Sequence, residues 1–226
     1  MQVLNEAEIR VLGALIEKEL ATPDYYPMTL NSLMAACNQL TGRHPVVAYD
    51  DKMVARALET LRAKRLVHEV HSSGSRVPKY KHVVLGVFGM NVEELAVLCA
   101  LLLRGPQTVG ELRSHTARMW NFGELSEVEA SLEKLGRHKP DALAVQLPRM
   151  PGRKEARFMH LLAGDNNLEE LEAQAASAAP LRAADAMQAV RAENERLARL
   201  ESDVAALRQE LADVRAEFAE FRRQFE

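Results

Sequence analysis

The chain has 226 residues, 47% of them apolar and 27% charged, with a formal net charge of −3. That size and balance are ordinary for a soluble globular protein and give one or two domains with real cores plus an appendage. Cys37 and Cys99 both sit in helical apolar patterns without CxxC or CxxH spacing, which excludes a disulfide framework and a zinc site.

The net charge averages two unlike parts. Residues 166–226 hold eight arginines against thirteen carboxylates, and the remainder is faintly basic, at +2. The longest apolar run, 95–103, is about half of what a membrane span requires. The amino terminus opens with Gln2, Leu4 and a polar turn, unlike a signal peptide, so a cytoplasmic location away from any membrane is expected.

A first helix is predicted over about 6–20, ended by Thr22-Pro23-Asp24. Thr29 then caps a helix over about 30–38. The exposed loop Thr41-Gly42-Arg43-His44-Pro45 leads to a third helix from Asp50-Asp51 to near Lys64. A hairpin follows, pairing 66–70 with 80–85 around the turn at 72–76.

The plan then repeats. Leu4, Ile9, Leu12, Leu15 and Ile16, moved by 86 positions, give Met90, Leu95, Leu98, Leu101 and Leu102, and Asn5 falls on Asn91. Thr29-Leu30-x-x-Leu33 matches Thr108-Val109-x-x-Leu112, and Val54, Leu58, Leu61 match Val128, Leu132, Leu135. Thr108-x-x-Glu111 and Ser126-x-x-Glu129 read as capping boxes, and Gly136 as a stop. A second hairpin pairs 142–147 with 157–162 around Pro151-Gly152-Arg153-Lys154. Three helices and a hairpin, twice, give a mainly α chain with small β hairpins. The reading is two tandem winged-helix domains, 1–86 and 87–165.

A linker over 166–189 separates these from a coiled coil over 190–226. Leu197, Val204, Leu211, Phe218 and Phe225 take one heptad position, and Leu200, Leu207, Val214 and Phe221 the other. Flanking charges pair Arg196 with Glu201, Asp203 with Arg208, Glu210 with Arg215 and Glu217 with Arg222 in a parallel dimer. An antiparallel pairing sets Arg208 against Arg215. A parallel homodimer is therefore expected, the plainer alternative being a helix folded back on its own body.

Several stretches resemble the YceH-like bacterial proteins of unknown function. They are Thr22-Pro23-Asp24-Tyr25-Tyr26-Pro27, Ala36-Cys37-Asn38-Gln39, Arg43-x-Pro45-Val46 and Gly74-Ser75-Arg76-Val77-x-Lys79-Tyr80-x-His82. Leu103-Arg104-Gly105-Pro106-Gln107-Thr108-x-Gly110-Glu111-Leu112 and Pro151-Gly152-Arg153-Lys154-Glu155-x-Arg157 add to them. Over 1–165 the resemblance implies a tandem winged-helix fold and no activity to inherit. Leu40 and His44 depart from it, standing where the family usually has a lysine and an acidic residue.

A DNA-binding role would draw on Lys52 and Arg56 of the third helix and on Arg43 in the preceding loop. It would also use Arg76, Lys79 and Lys81 of the first wing, with His71 and His82 beside them, and Arg149, Arg153, Lys154 and Arg157 of the second. Each has a plainer explanation: a solvated mixed-charge face, a loop bonded to itself, or an exposed basic turn. The second copy's third helix, with Glu124, Glu127 and Glu133 against Lys134, is too acidic to enter a groove. Trp120-Asn121-Phe122 could stack on a base but fits a core plug better. The alternative function is a protein-interaction scaffold using the acidic copy and the coiled coil. No Ser-His-Asp set, paired carboxylate cleft, phosphate loop or HExxH pattern appears, so no enzyme activity, cofactor or metal is expected.

Overall fold

Asn5 and Asn91 open the two central helices by the same device. In the computed structural model, which describes residues 3–71, 77–149 and 155–164, α1 (Glu6–Ala21) begins where the Asn5 side chain accepts the Glu8 N–H at 2.9 Å. The Glu8 carboxylate accepts the Asn5 N–H in return, at 2.7 Å. α5 (Val92–Arg104) repeats the exchange with Asn91 and Glu94, at 2.9 and 3.2 Å. Each box satisfies two amides that a helix start would leave unpaired.

Pro23 follows α1 and heads a single 3-10 turn, Pro23–Tyr25. β1 (Met28–Thr29) leads into α2 (Leu30–Cys37), capped by Thr29. α3 (Asp51–Ala63) starts at Asp50, whose carboxylate accepts the Met53 N–H at 2.7 Å. Its end is a Schellman turn with Arg65 in the left-handed region at φ 58°. The Leu66 N–H reaches the Leu61 carbonyl and the Arg65 N–H that of Arg62, both at 2.9 Å. The turn delivers the chain directly into β2 (Val67–Val70).

β3 (Lys79–His82) lies between β1 and β2, antiparallel to both, with Val67 opposite His82 and Met28 opposite Tyr80. The second strand of this hairpin stops at His82, short of the expected 85. β2 begins only at Val67, so Val83 finds its partner in the Leu66 carbonyl at 3.0 Å and the ladder runs out. The next residues close on themselves as α4 (Val84–Phe88), ended by Gly89 at φ 62°.

In the second half α6 (Val109–Thr116) carries the predicted Thr108–Glu111 box. The box expected at Ser126 and Glu129 is not the one used. α7 (Leu125–Gly136) starts earlier, where the Glu127 carboxylate accepts the N–H groups of Gly123 and Glu124, at 2.8 and 3.4 Å. β4 (Ala144–Gln146) and β5 (Phe158–His160) pair antiparallel, and Gln107 exchanges two backbone bonds with Phe158. That bridge takes the place β1 has in the first half.

The described residues therefore form a mainly helical structure of seven α-helices with small antiparallel hairpins. The chain divides between Glu169 and Glu170, and every described residue belongs to the first unit. The expected linker and the heptad positions from Leu197 to Phe225 lie outside the described residues. Among the described residues no helix is long and apolar enough to cross a membrane.

One apolar cluster runs through both halves. Its centre is the crossing of α1 and α5, where a Cβ on Gly13 would lie 2.9 Å from Leu103 Cδ2 and 3.2 Å from Leu102 Cβ. The Cys99 thiol, 86 positions on from Gly13, donates to the Gly13 carbonyl at 3.3 Å. Around this crossing the Leu4 N–H bonds the Leu162 carbonyl at 2.7 Å, and the His44 N–H bonds that of Leu103 at 2.8 Å.

Two glycines make a matched test of that packing. In α4, Gly86 has nothing within 4 Å of a built Cβ, so Gly86→Ala should gain about 0.5–1 kcal/mol of helix propensity. Gly13→Ala has the same propensity to gain but must push Leu102 and Leu103 aside, and should lose about 1–2 kcal/mol net. Urea unfolding of both variants measures the difference; equal stabilisation would show that the crossing yields freely.

Candidate nucleic-acid interface

α3 buries Val54, Ala57, Leu58 and Leu61 and turns Lys52, Arg56, Glu59 and Ala63 outward. Lys52 and Arg56 are four positions apart, one helical turn, so they project from the same face. Among the described residues neither makes an ion pair. They are free to meet an anion.

Alternation along β3 sends Tyr80 and His82 towards the core and Lys79 and Lys81 to the opposite face. Lys81 stands across from exposed His68, and Lys79 across from Val70 on one side and Thr29 on the other. On the inner face Glu69 binds Arg62 of α3 at 2.6 Å, fastening the sheet to the helix. Arg149, just past β4, is exposed. Arg76, Arg153 and Lys154 lie outside the described residues.

Arg43 does not belong to this surface. Its side chain is wholly buried, and all five of its N–H donors are used. Two bonds run to the Glu17 carboxylate at 3.0 and 2.5 Å, and one to Gln39 Oε1 at 2.9 Å. The others meet the carbonyls of Ala36 and Gly42, each at 3.1 Å. Burial works to raise the Glu17 carboxyl, but the bonds and charge of Arg43, with Lys18 nearby, hold it below the usual carboxylate range.

The loop around Arg43 is a structural knot. Arg10, itself buried on α1, reaches the carbonyls of Cys37 and Pro45 at 3.4 and 2.5 Å. The Asn38 amide pairs with both backbone groups of Tyr49 at 2.8 Å, as a neighbouring strand would. Sequence inspection missed Arg10 and Glu17 as partners. The one available signal was a charged residue, Arg10, inside the apolar run of α1.

Arg157 is also turned inward. It donates to the Pro106 carbonyl and to the Glu111 carboxylate, each at 3.1 Å, bracing the bridge at Gln107 against α6. The outer face of α7 carries exposed Glu124, Glu127, Glu129 and Glu133. Its basic residues are engaged, Lys134 with Glu94 at 3.4 Å and Arg137 with Glu133 at 2.7 Å. Of the Trp120–Phe122 segment, Phe122 fills the core while Trp120 remains 39% exposed, so the expected core plug is half right.

His82, expected beside the wing cations, is buried against α1. Its N–H donates to Tyr26 Oη at 2.7 Å, its Nδ1 accepts the Val84 N–H at 3.3 Å, and its Nε2 meets the Glu19 carboxylate. With one ring nitrogen accepting from the backbone and the other facing a carboxylate, the ring holds structure together. Burial, then the Glu19 charge, push the Tyr26 phenol upward. Burial pushes the Cys37 thiol up to about 12 and Cys99 well above its usual range, so both act as small apolar groups. Among the described residues no group of three or more His, Cys, Asp or Glu could hold a metal ion.

Residues 4–153 match the family described as protein of unknown function, DUF480. The chain is similar to a UPF0502 protein of Geobacter sulfurreducens, 50% identical over 205 residues that cover 91% of this chain and 90% of the relative. A UPF0502 protein of Photobacterium profundum is 42% identical over 208 residues, covering 90% and 91%. One from Pelobacter propionicus is 45% identical over 224 residues and 99% of each chain, so that likeness runs through the tail.

Two measurements follow from the buried charges. Arg43→Ala should cost about 3 kcal/mol by stranding Glu17 and three further acceptors, whereas Lys52→Ala should cost under about 0.5 kcal/mol. Equal, small losses in urea unfolding would return Arg43 to the surface. The second concerns His160, whose ring is buried with Nδ1 unpartnered and whose pKa burial lowers to about 4. Between about 6.5 and 4 the unfolded chain takes up a proton that the folded chain refuses. Stability should therefore fall with pH across that window, by roughly 3 kcal/mol. His160→Leu should flatten this slope and leave the loss below 4.5, where Glu8 and Glu17 titrate.

Proposed function

The chain belongs to the DUF480 family, and on that premise we propose that it is a DNA-binding protein built from tandem winged helices. Each half follows the order helix, strand or bridge, helix, helix, strand, strand, the order a winged helix requires. In this reading α3 is the groove-facing helix of the first half and the β2–β3 hairpin is its wing. The observation that carries it is the pair of exposed, unpaired cations one turn apart on α3, Lys52 and Arg56, in the same half as Lys79 and Lys81.

The second half serves as a support. An acidic helix such as α7 gains nothing from phosphate neutralisation and repels the backbone. Through the α1–α5 crossing it holds the first half in a fixed attitude. The tail, read as a parallel coiled coil over 190–226, brings two chains together. Weak contacts from two first halves then add through effective concentration. The role is binding and positioning, with no chemistry assigned.

Four phosphate contacts per chain predict a log–log slope of affinity against salt of about −4 per protomer. Fluorescence anisotropy with a labelled duplex at several salt concentrations reads that slope. Lys52→Ala with Arg56→Ala should make it shallower by about 2 and weaken binding on every sequence tried. Unchanged affinity and slope in that double variant would overturn the reading.

A further inference from the structure

His138 follows the end of α7 by two positions and opens the turn that carries the chain into β4. Its Nδ1 lies 3.0 Å from the Asp141 carbonyl oxygen within that turn. Its Nε2 lies 2.6 Å from the carbonyl oxygen of Phe88, the last residue of α4 and 50 positions away. A carbonyl oxygen only accepts, and a neutral imidazole carries one N–H. The imidazolium can donate at both contacts, whereas a neutral ring must set a bare nitrogen lone pair against one of the two oxygens.

The surroundings suit a charged ring. The last carbonyls of a helix lack partners within it and carry the negative end of its dipole. His138 meets two such ends, bonding the last carbonyl of α4 and directly following the C-cap of α7. The Phe88 ring stands at 79° to the imidazole with centroids 5.8 Å apart, which limits how far the side chain can swing off its acceptors. Of the charged groups around it, exposed Lys139 and half-buried Asp141 share its turn, and Arg137 is bonded to Glu133. α4 carries no charged residue, and Glu93 and Glu94 open α5, the latter bonded to Lys134. Both close contacts of the ring are carbonyls, so the arrangement depends on how many protons the ring holds.

We propose that His138 is a proton-dependent clamp between the end of α4 and the turn that joins α7 to β4. Doubly protonated, the ring holds both. When it gives a proton to solvent it keeps the Nε2–H, because a bare lone pair 2.6 Å from the Phe88 oxygen is more repulsive than one 3.0 Å from that of Asp141. Nδ1 then turns a lone pair on the Asp141 carbonyl, and the turn moves off the ring. The Leu143 N–H closes this turn on the Leu135 carbonyl at 2.8 Å, and that bond loses its support. The device is independent of the DNA reading, since it uses no residue of α3 or of the first hairpin.

The test uses the full-length protein with isotope-labelled histidine nitrogens, read by proton–nitrogen correlation spectra across pH. The His138 ring is assigned through its contact with the Phe88 ring. Both of its nitrogens should read as N–H at the acid end of its titration, and Nε2 alone at the alkaline end. Hydrogen exchange at the Leu143 amide, expressed as a protection factor so that the intrinsic effect of pH is removed, follows the turn. That factor should fall by about ten-fold as the ring loses its proton. His138→Gln keeps a donor but cannot titrate, and should show no such step. A neutral ring protonated at Nδ1, a Leu143 factor unchanged through the His138 titration, or the same step in His138→Gln overturns the proposal. The first two are read on the unaltered chain, so they decide the matter even where the variant fails to fold.

Discussion

Where α1 crosses α5, a single hydrogen at Gly13 stands in for a side chain, and Leu102 and Leu103 occupy the space. Glycine inside a sixteen-residue helix costs about 1 kcal/mol of propensity. The close approach returns more than that through burial of two leucine-rich faces, each apolar on nearly every side at its centre. The rest of the first unit follows from this contact. With α5 held at that distance, its last turn presents the Leu103 carbonyl to the His44 N–H, and Arg104 lies against Gly42. The α2–α3 loop is thus fixed partly by the other half of the molecule, and with it the start of α3.

The buried charges complete that fixation. Taking Arg43 and Glu17 out of water costs several kcal/mol for each ion, which their attraction only offsets when the remaining donors are also paired. Here every donor of Arg43 has an acceptor, and the planar fork of the guanidinium suits a carboxylate and three further oxygens at once. A lysine could not reproduce this. The pair is best understood as specifying one loop conformation, with little net stability of its own. The same commitment removes Arg43 from any surface role; among the described residues of the first half the exposed lysines and arginines are Lys52, Arg56 and Arg62 of α3 and Arg65 just past it, with Lys79 and Lys81 half-buried on β3.

Sequence reading did well where local rules decide. The 86-residue repeat of Asn5 and the apolar period located α1 and α5, and threonine and aspartate caps located α2, α3 and α6. It failed where the deciding partner lay far along the chain. Arg43 read as a loop cation because Glu17, 26 positions earlier, gives no local sign of its role. Residues 83–85 read as strand because Val83 and Val84 are β-branched, while the short β2 left them no ladder to join. Trp120 read as core because it is large, but Phe122 two positions on is the aromatic that joins the core cluster. The start of α7 was displaced because Ser126 and Glu129 copy a capping pattern that Glu124 and Glu127 satisfy two positions earlier.

The repeat makes the contrast between its copies informative. Matching positions inside the two halves keep the same character, since Val54, Leu58 and Leu61 correspond to Val128, Leu132 and Leu135, all buried. Matching positions outside do not: Lys52 and Arg56 on α3 fall on Ser126 and Ala130 of α7, whose exposed face carries Glu124, Glu127, Glu129 and Glu133 instead. Core identity is imposed by packing density, which tolerates little change in either copy. No such constraint holds on a solvated helix face, so the charge there is free to suit whatever the face meets. A framework kept twice with unlike surfaces is therefore what packing requires inside and leaves unconstrained outside.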